Sequence, residues 1–232
     1  MSIFPQLKNL CLPDTESYLN RDMAYSTLSL LFLFSMNLSG NSLKFPKESD
    51  PDIKKFVPAG YVLTKEATGD LNQDGLEDKV LVLEKSPNES RVLVILFKDI
   101  TGKFSYFTHS EKLILPMSEG DAFGDPCSSV TVEKGLLVIN HNAGKLQRWG
   151  MRYSFQFQSG HFYLTSRMTV SLSLNSSREA RKNEYFPQSG VNIETMTDAS
   201  GKEKKIRLKM KKRPHLLLSE FKGYSIRVDD EF

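Results

Sequence analysis

A chain of 232 residues with 39% hydrophobic and 25% charged side chains has the composition of a soluble globular protein and enough apolar residues to bury a core, which excludes disorder throughout. Its net charge of +3, from 31 basic and 28 acidic residues, is too small to imply nucleic-acid or membrane binding without local clustering. Two cysteines, Cys11 and Cys127, exclude a disulfide framework, and no Cys/His spacing matches a zinc site.

The chain opens on a candidate export segment. Between Asp22 and Lys44 lie 21 residues without a formal charge, centred on the apolar run Leu28-Ser29-Leu30-Leu31-Phe32-Leu33-Phe34. Ser35, Asn37, Ser39 and Asn41 dilute this run, which favours a short signal-peptide core over a permanent membrane span. Gly40-Asn41-Ser42 places small residues where a signal peptidase reads, so cleavage is expected after Ser42. Upstream, Lys8 and Arg21 are mixed with Asp14, Glu16 and Asp22, which makes Met23 an alternative start. Residues 1–42 are thus expected to be a signal peptide, or an N-terminal anchor if uncleaved, and the protein to be secreted or periplasmic.

Residues 43–55, with Pro46 and Pro51, read as a linker, and residues 56–232 as a β-rich domain whose patterning weakens from about residue 170. The Val/Leu/Ile-rich runs 79–84 and 91–97 flank Ser86-Pro87-Asn88-Glu89-Ser90 and predict a hairpin of two buried strands. A second hairpin is predicted around Glu133-Lys134-Gly135. In the third, Trp149, Met151, Tyr153, Phe155 and Phe157 alternate with polar residues and so share one face of a strand that turns at Ser159-Gly160. Such period-two alternation is what one-sided burial demands, so the aromatic stripe is expected to face the core. Ser177 to Tyr185 reads as a short polar helix or loop. Farther on, Ile206, Leu208 and Met210 alternate with Lys205, Arg207, Lys209 and Lys211, predicting a half-buried strand. The surrounding stretch 202–213 holds eight basic residues against Glu203 alone. It is either an edge strand blunted by lysines or an anionic-surface binder; without interleaved aromatics on the basic face, nucleic acid is not the expected partner.

The run Gly69-Asp70-Leu71-Asn72-Gln73-Asp74-Gly75-Leu76-Glu77-Asp78 carries the most specific chemistry. Side-chain oxygens recur at alternate residues, as a hard cation with six to eight oxygen ligands at about 2.3–2.6 Å requires. The expected calcium ligands are the side chains of Asp70, Asn72, Asp74 and Asp78 and the carbonyl of Leu76, with Gly75 providing the sharp turn. An EF-hand would continue to a bidentate Glu, where this chain has Leu81, and a β-patterned run follows in place of a helix. The competing account is a hairpin turn at Asp74-Gly75 with incidental acidic neighbours.

Over Gly69 to Val82 the D-x-N-x-D-G-x-x-D spacing followed by a strand resembles the FG-GAP or VCBS calcium loops of integrin-like β-propeller blades. The loop occurs as a single copy, so a complete propeller is not expected. More broadly, Phe56-Val57-Pro58-Ala59-Gly60-Tyr61, the Asp loop, Gly124-Asp125-Pro126 and the Arg148-Trp149 strand resemble an uncharacterised family of exported bacterial β-rich proteins, over about residues 56–168. That resemblance implies secretion and a β-rich fold and assigns no activity; the chain departs from the pattern at residues 140–146.

The four histidines, His109, His141, His161 and His215, fall in no metal-ligand spacing, and neither a G-x-S-x-G motif nor a phosphate-binding glycine loop occurs. Asp121, Asp125, Ser128 and His141 form the nearest polar constellation, brought together only if the hairpin after Val130 folds its two ends side by side. The expectation is a mainly β protein whose antiparallel hairpins form a single sandwich or partial-propeller-like domain. It would be an exported Ca2+-binding domain with a structural or recognition role toward a protein or envelope ligand, not an enzyme. The alternatives are a secreted hydrolase using the Asp125/His141 region and an anionic-surface binder using Lys202 to Arg213.

Overall fold

The computed structural model describes residues 43–174 and 179–221, with the backbone alone at 121–123. The expected export segment 1–42, with Cys11, lies outside the described residues. Eleven strands make the fold, in two antiparallel sheets. The first sheet runs in chain order through β1 (Val62–Gly69), β2 (Asp78–Glu84), β3 (Arg91–Lys98) and β4 (Phe104–Ile114). The second holds β5 (Cys127–Glu133), β6 (Leu136–Ala143), β7 (Gln147–Gln158), β8 (His161–Ser173), β9 (Ala180–Phe186), β10 (Val191–Thr197) and β11 (Glu203–Lys209), again each beside its chain neighbour. Every pairing is between sequence-adjacent strands, so short turns suffice and no crossover helix is needed. The sheets do not close into a barrel.

Turn chemistry explains the registers. Lys134 and Gly135 both have positive φ, 54° and 77°, as do Ser159 and Gly160, 49° and 80°. Each pair forms a two-residue loop, closed by Glu133 opposite Leu136 and by Gln158 opposite His161. Turns of this hand match the twist of the flanking strands.

The core lies between the sheets. Val80, Val82, Leu93 and Ile95 of the first sheet meet Leu137, Ile139, Met151, Tyr153, Phe155, Phe162 and Leu164 of the second. The stripe of β7 therefore points inward as its alternation predicts: Met151, Tyr153 and Phe155 are buried, and Trp149 and Phe157 pack at the margin. Leu81, Leu83, Val92, Val94 and Leu96 form a second apolar cluster with Phe56 and Phe104. The central strands β2 and β3 are thus buried on both faces, which is why they read as unbroken apolar runs.

The expected linker is part of this packing. Leu43, Phe45, Ile53, Val57 and Tyr61 pack against the second cluster, and Phe45 stacks on Tyr106 at 4.7 Å between ring centres. Asp50 and Phe104 exchange backbone hydrogen bonds of 3.0 and 2.9 Å, which clips the segment to β4. Pairing stops at this one bridge, and isolated apolar residues on either side of Pro46 and Pro51 are enough to cover a sheet face.

Two sequence expectations change toward the C-terminus. Of Ser177 to Tyr185, expected as helix or loop, positions 177 and 178 lie outside the described residues, and from Ala180 on the segment is strand, part of β9, hydrogen-bonded between β8 and β10. Its polar composition follows from position, because no residue of β9, β10 or β11 belongs to the inter-sheet core. For the same reason β11 is not half-buried: six of its seven residues are exposed and only Ile206 is partly covered. After β11 the chain returns to the core, where Leu216, Leu218 and Phe221 pack, and the Leu164 amide donates to the Leu216 carbonyl at 2.9 Å. Among the described residues, no helix is long and apolar enough to cross a membrane.

Candidate metal centre

The Asp70 loop joins β1 to β2 and is curled around its first carboxylate. Asp70 Oδ1 accepts from the Asp74 amide at 3.1 Å and Asp70 Oδ2 from the Gly75 amide at 2.9 Å. Positive φ at Gln73 (64°) and Gly75 (86°) allows this reversal. Asn72 Oδ1 also accepts from the Asp74 amide, at 3.1 Å, while Asn72 Nδ2 donates to Asp74 Oδ2 at 2.9 Å. Asp74 Oδ1 accepts from the Leu76 amide at 2.8 Å. Asp70, Asn72 and Asp74 are therefore tied to one short run of amides.

Asp78, the fourth expected side-chain ligand, is fully buried at the start of β2. Its Oδ2 accepts from the Leu71 amide at 2.9 Å and its Oδ1 from the Lys98 amide at 3.0 Å, fastening the loop to β3. Burial pushes its pKa up, the surrounding amides oppose that, and the Asp74 charge adds repulsion. Among the described residues, no group of three or more His, Cys, Asp or Glu is gathered closely enough to hold a metal. The donor set is nonetheless oxygen-based, and a carboxylate oxygen has lone pairs beyond those these amide bonds use.

The loop also reaches the other sheet. Leu71 is fully buried in the inter-sheet core, and a β-carbon placed on Gly135, in the β5–β6 turn, would lie 3.7 Å from the Asp70 carbonyl and 3.4 Å from Gln73 Nε2. At Gly69 a β-carbon would overlap Val132 of β5 at 2.7 Å, so this glycine permits the close approach of β1 and β5. The candidate site thus sits on a joint between the sheets.

The second polar cluster surrounds Arg91, which the sequence presents only as the first residue of a strand. Arg91 is fully buried. Its Nε donates to the Leu115 carbonyl at 2.9 Å, and its Nη1 and Nη2 grip Asp125 at 3.0 and 2.6 Å. Lys65 Nζ adds a 2.9 Å contact and the Cys127 amide a 2.9 Å hydrogen bond to the same carboxylate. Burial opposes the charge of Asp125, but these donors outweigh it and hold its pKa at about 2. Burial likewise opposes the Arg91 charge, and Asp125, with lesser help from Cys127 and Glu84, keeps its pKa above the ordinary value.

His141 lies in the same cluster, buried, with Nε2 accepting from the Leu115 amide at 3.4 Å. Burial, assisted by the Arg91 charge, lowers its pKa to about 4. Ser128 donates its hydroxyl to the Asn140 carbonyl at 3.1 Å. The β5–β6 hairpin therefore brings Asp125 and His141 into one environment, with Asp125 engaged by Arg91 and Lys65; the side chain of Asp121 lies outside the description. Cys127 is a free, buried thiol whose pKa burial raises to about 11, which makes it a packing residue at neutral pH.

No protein-family model matches the chain, and no curated protein or solved structure is significantly similar to it.

Proposed function

We propose that this protein is an exported calcium-binding β domain in which the ion has a structural role and through which a protein or envelope ligand is recognised. The observation that carries the proposal is the Asp70 carboxylate enclosed by the Asp74 and Gly75 amides, with Asn72 and Asp74 drawn into the same curl. The side chains of Asp70, Asn72, Asp74 and Asp78 and the Leu76 carbonyl would hold the ion. Asn72 would present Oδ1, releasing the hydrogen bond its amide nitrogen makes to Asp74. Bound calcium would offset two of the three negative charges that the carboxylates bring together over nine residues, easing the repulsion between Asp74 and Asp78. Because Leu71 enters the inter-sheet core and the loop lies against the β5–β6 turn, ordering the loop would stabilise both sheets together. Export supplies a compartment in which extracellular modules use sites with Kd of about 10⁻⁴ to 10⁻³ M.

The test is thermal unfolding in chelator and in millimolar calcium. A site with Kd of about 10⁻⁴ M at ~1 mM calcium contributes roughly 1.4 kcal/mol, or about 3–6 °C in Tm for a chain of this size. The wild type is expected to show that rise and Asp74→Ala to lose it. Identical melting of the wild type in both conditions would overturn the proposal. The hydrolase alternative draws no support from Asp125, whose contacts are those of an ion-pair anchor.

A further inference from the structure

We infer that β11 is a docking edge for an extended acidic peptide, which adds to the seven-stranded sheet as a further strand. β11 pairs with β10 over seven residues, from Val191 opposite Lys209 to Thr197 opposite Glu203. Among the described residues no strand pairs with its other side, so alternate backbone N–H and C=O groups face outward. The edge is accessible, since only Ile206 of the strand is even partly covered.

The side chains specify the occupant. Alternation places Lys205, Arg207 and Lys209 on one face, spaced by roughly 6.8 Å along the strand. Lys204, Ile206 and Leu208 share the opposite face. Lys205 is paired with Glu203 at 3.3 Å, and no carboxylate among the described residues pairs with Lys204, Arg207 or Lys209. The cations therefore repeat with the period of a β-strand. An added strand with acidic residues at alternate positions would place each carboxylate about 4.5–5.5 Å, Cβ to Cβ, from a cation. Its intervening apolar residues would fall on the face of Ile206 and Leu208.

Charge on this edge works in two directions. Lysines blunt an edge against pairing with a second copy of itself, because like charges directly opposite repel. The same charges attract a strand of opposite sign, giving selectivity by repulsion and attraction together. A nucleic acid or anionic membrane would have no use for the open hydrogen-bonding edge, which only an added strand can pair. β10 and β11 also carry no aromatic residue on which a base would stack.

The test uses the full chain and a labelled synthetic peptide alternating Glu and Val, with binding followed by anisotropy and backbone protection by hydrogen exchange. The wild type is expected to bind, more weakly as salt rises, with new protection confined to β11. An Arg207→Glu/Lys209→Glu variant is expected to lose at least about tenfold in affinity, with unchanged melting because both residues are exposed. The same peptide with its alternate amides N-methylated, which retains the charges but cannot pair, is expected not to bind. The proposal is overturned if the wild type fails to bind the Glu/Val peptide, if the N-methylated peptide binds equally well, or if oligonucleotide or acidic vesicles bind while the Glu/Val peptide leaves β11 unprotected.

Discussion

Arg91 and Asp125 meet in a two-pronged ion pair that joins the first strand of one hairpin to the entry of another, 34 residues later. Arg91 is fully buried and also ties down the Leu115 carbonyl, so the pair locks the chain segment that crosses from the first sheet to the second. Breaking a buried pair from one side costs about 3–5 kcal/mol, because the remaining charge is left without its partner. Asp125→Asn is expected to lose an amount in that range in denaturant titrations. Arg91→Met combined with Asp125→Asn should lose less than the sum of the single changes, with a coupling of about 0.5–3 kcal/mol. Additive losses would show that the two side chains act separately.

The same cluster gives the protein a two-stage acid response. Unfolded His141 takes up a proton near its ordinary pKa of 6.5, whereas folded His141 does so only near about 4. Between those values the unfolded chain binds more protons, so stability falls as pH drops from about 6.5 to about 4, by roughly 3 kcal/mol in all. Asp125 acts lower. Its contribution is complete above its ordinary pKa of 3.8 and is lost as pH falls toward about 2. Denaturant titrations at a series of pH values should show the upper slope in the wild type and a flattened one in His141→Gln.

Gly69 should tolerate no side chain. Both the Cβ and a γ-carbon of Val132 lie 2.7 Å from where an alanine methyl would sit, and a Cβ cannot move without its backbone. Gly69→Ala is expected to cost about 1–3 kcal/mol by overpacking. Val132→Gly removes the obstructing carbons but also a side chain packed against the core, so the double variant is expected to lose less than the sum of the two single losses, which melting of the three variants would reveal.

Leu71 should matter more than its place in a surface loop implies. It is fully buried in the inter-sheet core, so Leu71→Ala is expected to cost about 2–5 kcal/mol in denaturant unfolding. Gln73→Ala, on the exposed crest of the same loop, should change stability by no more than about 0.5 kcal/mol. Equal effects would show that the loop is not anchored through Leu71.

Local pattern carried much of this architecture. Unbroken apolar runs marked β2 and β3, strict alternation turned the Met151-Tyr153-Phe155 stripe inward, and the Ser159-Gly160 pair closed its hairpin, because each feature depends on neighbours in the chain. The Asp70 curl was legible for the same reason, since its hydrogen bonds span no more than five residues. The role of Asp78 was less so: its carboxylate caps amides of Leu71 and Lys98, and Lys98 is brought there by the pairing of β2 with β3. β9 was missed because a strand hydrogen-bonded on both edges but lying outside the core needs no apolar alternation. The exposure of β11 was missed because alternation records which residues share a face, not whether anything covers it. Arg91 gave a faint signal, a lone cation at the head of an apolar strand, but its partner lies 34 residues away and only the folded chain places the two together. By itself, then, the sequence determined the hairpins of β2 with β3, β5 with β6 and β7 with β8 and the oxygen-rich loop, all products of short-range sterics and hydrogen bonding. Tertiary structure alone decided what the loop leans on, which carboxylate is buried and which edge is left open, because burial and long-range charge pairing depend on residues that meet only when the two sheets close on each other.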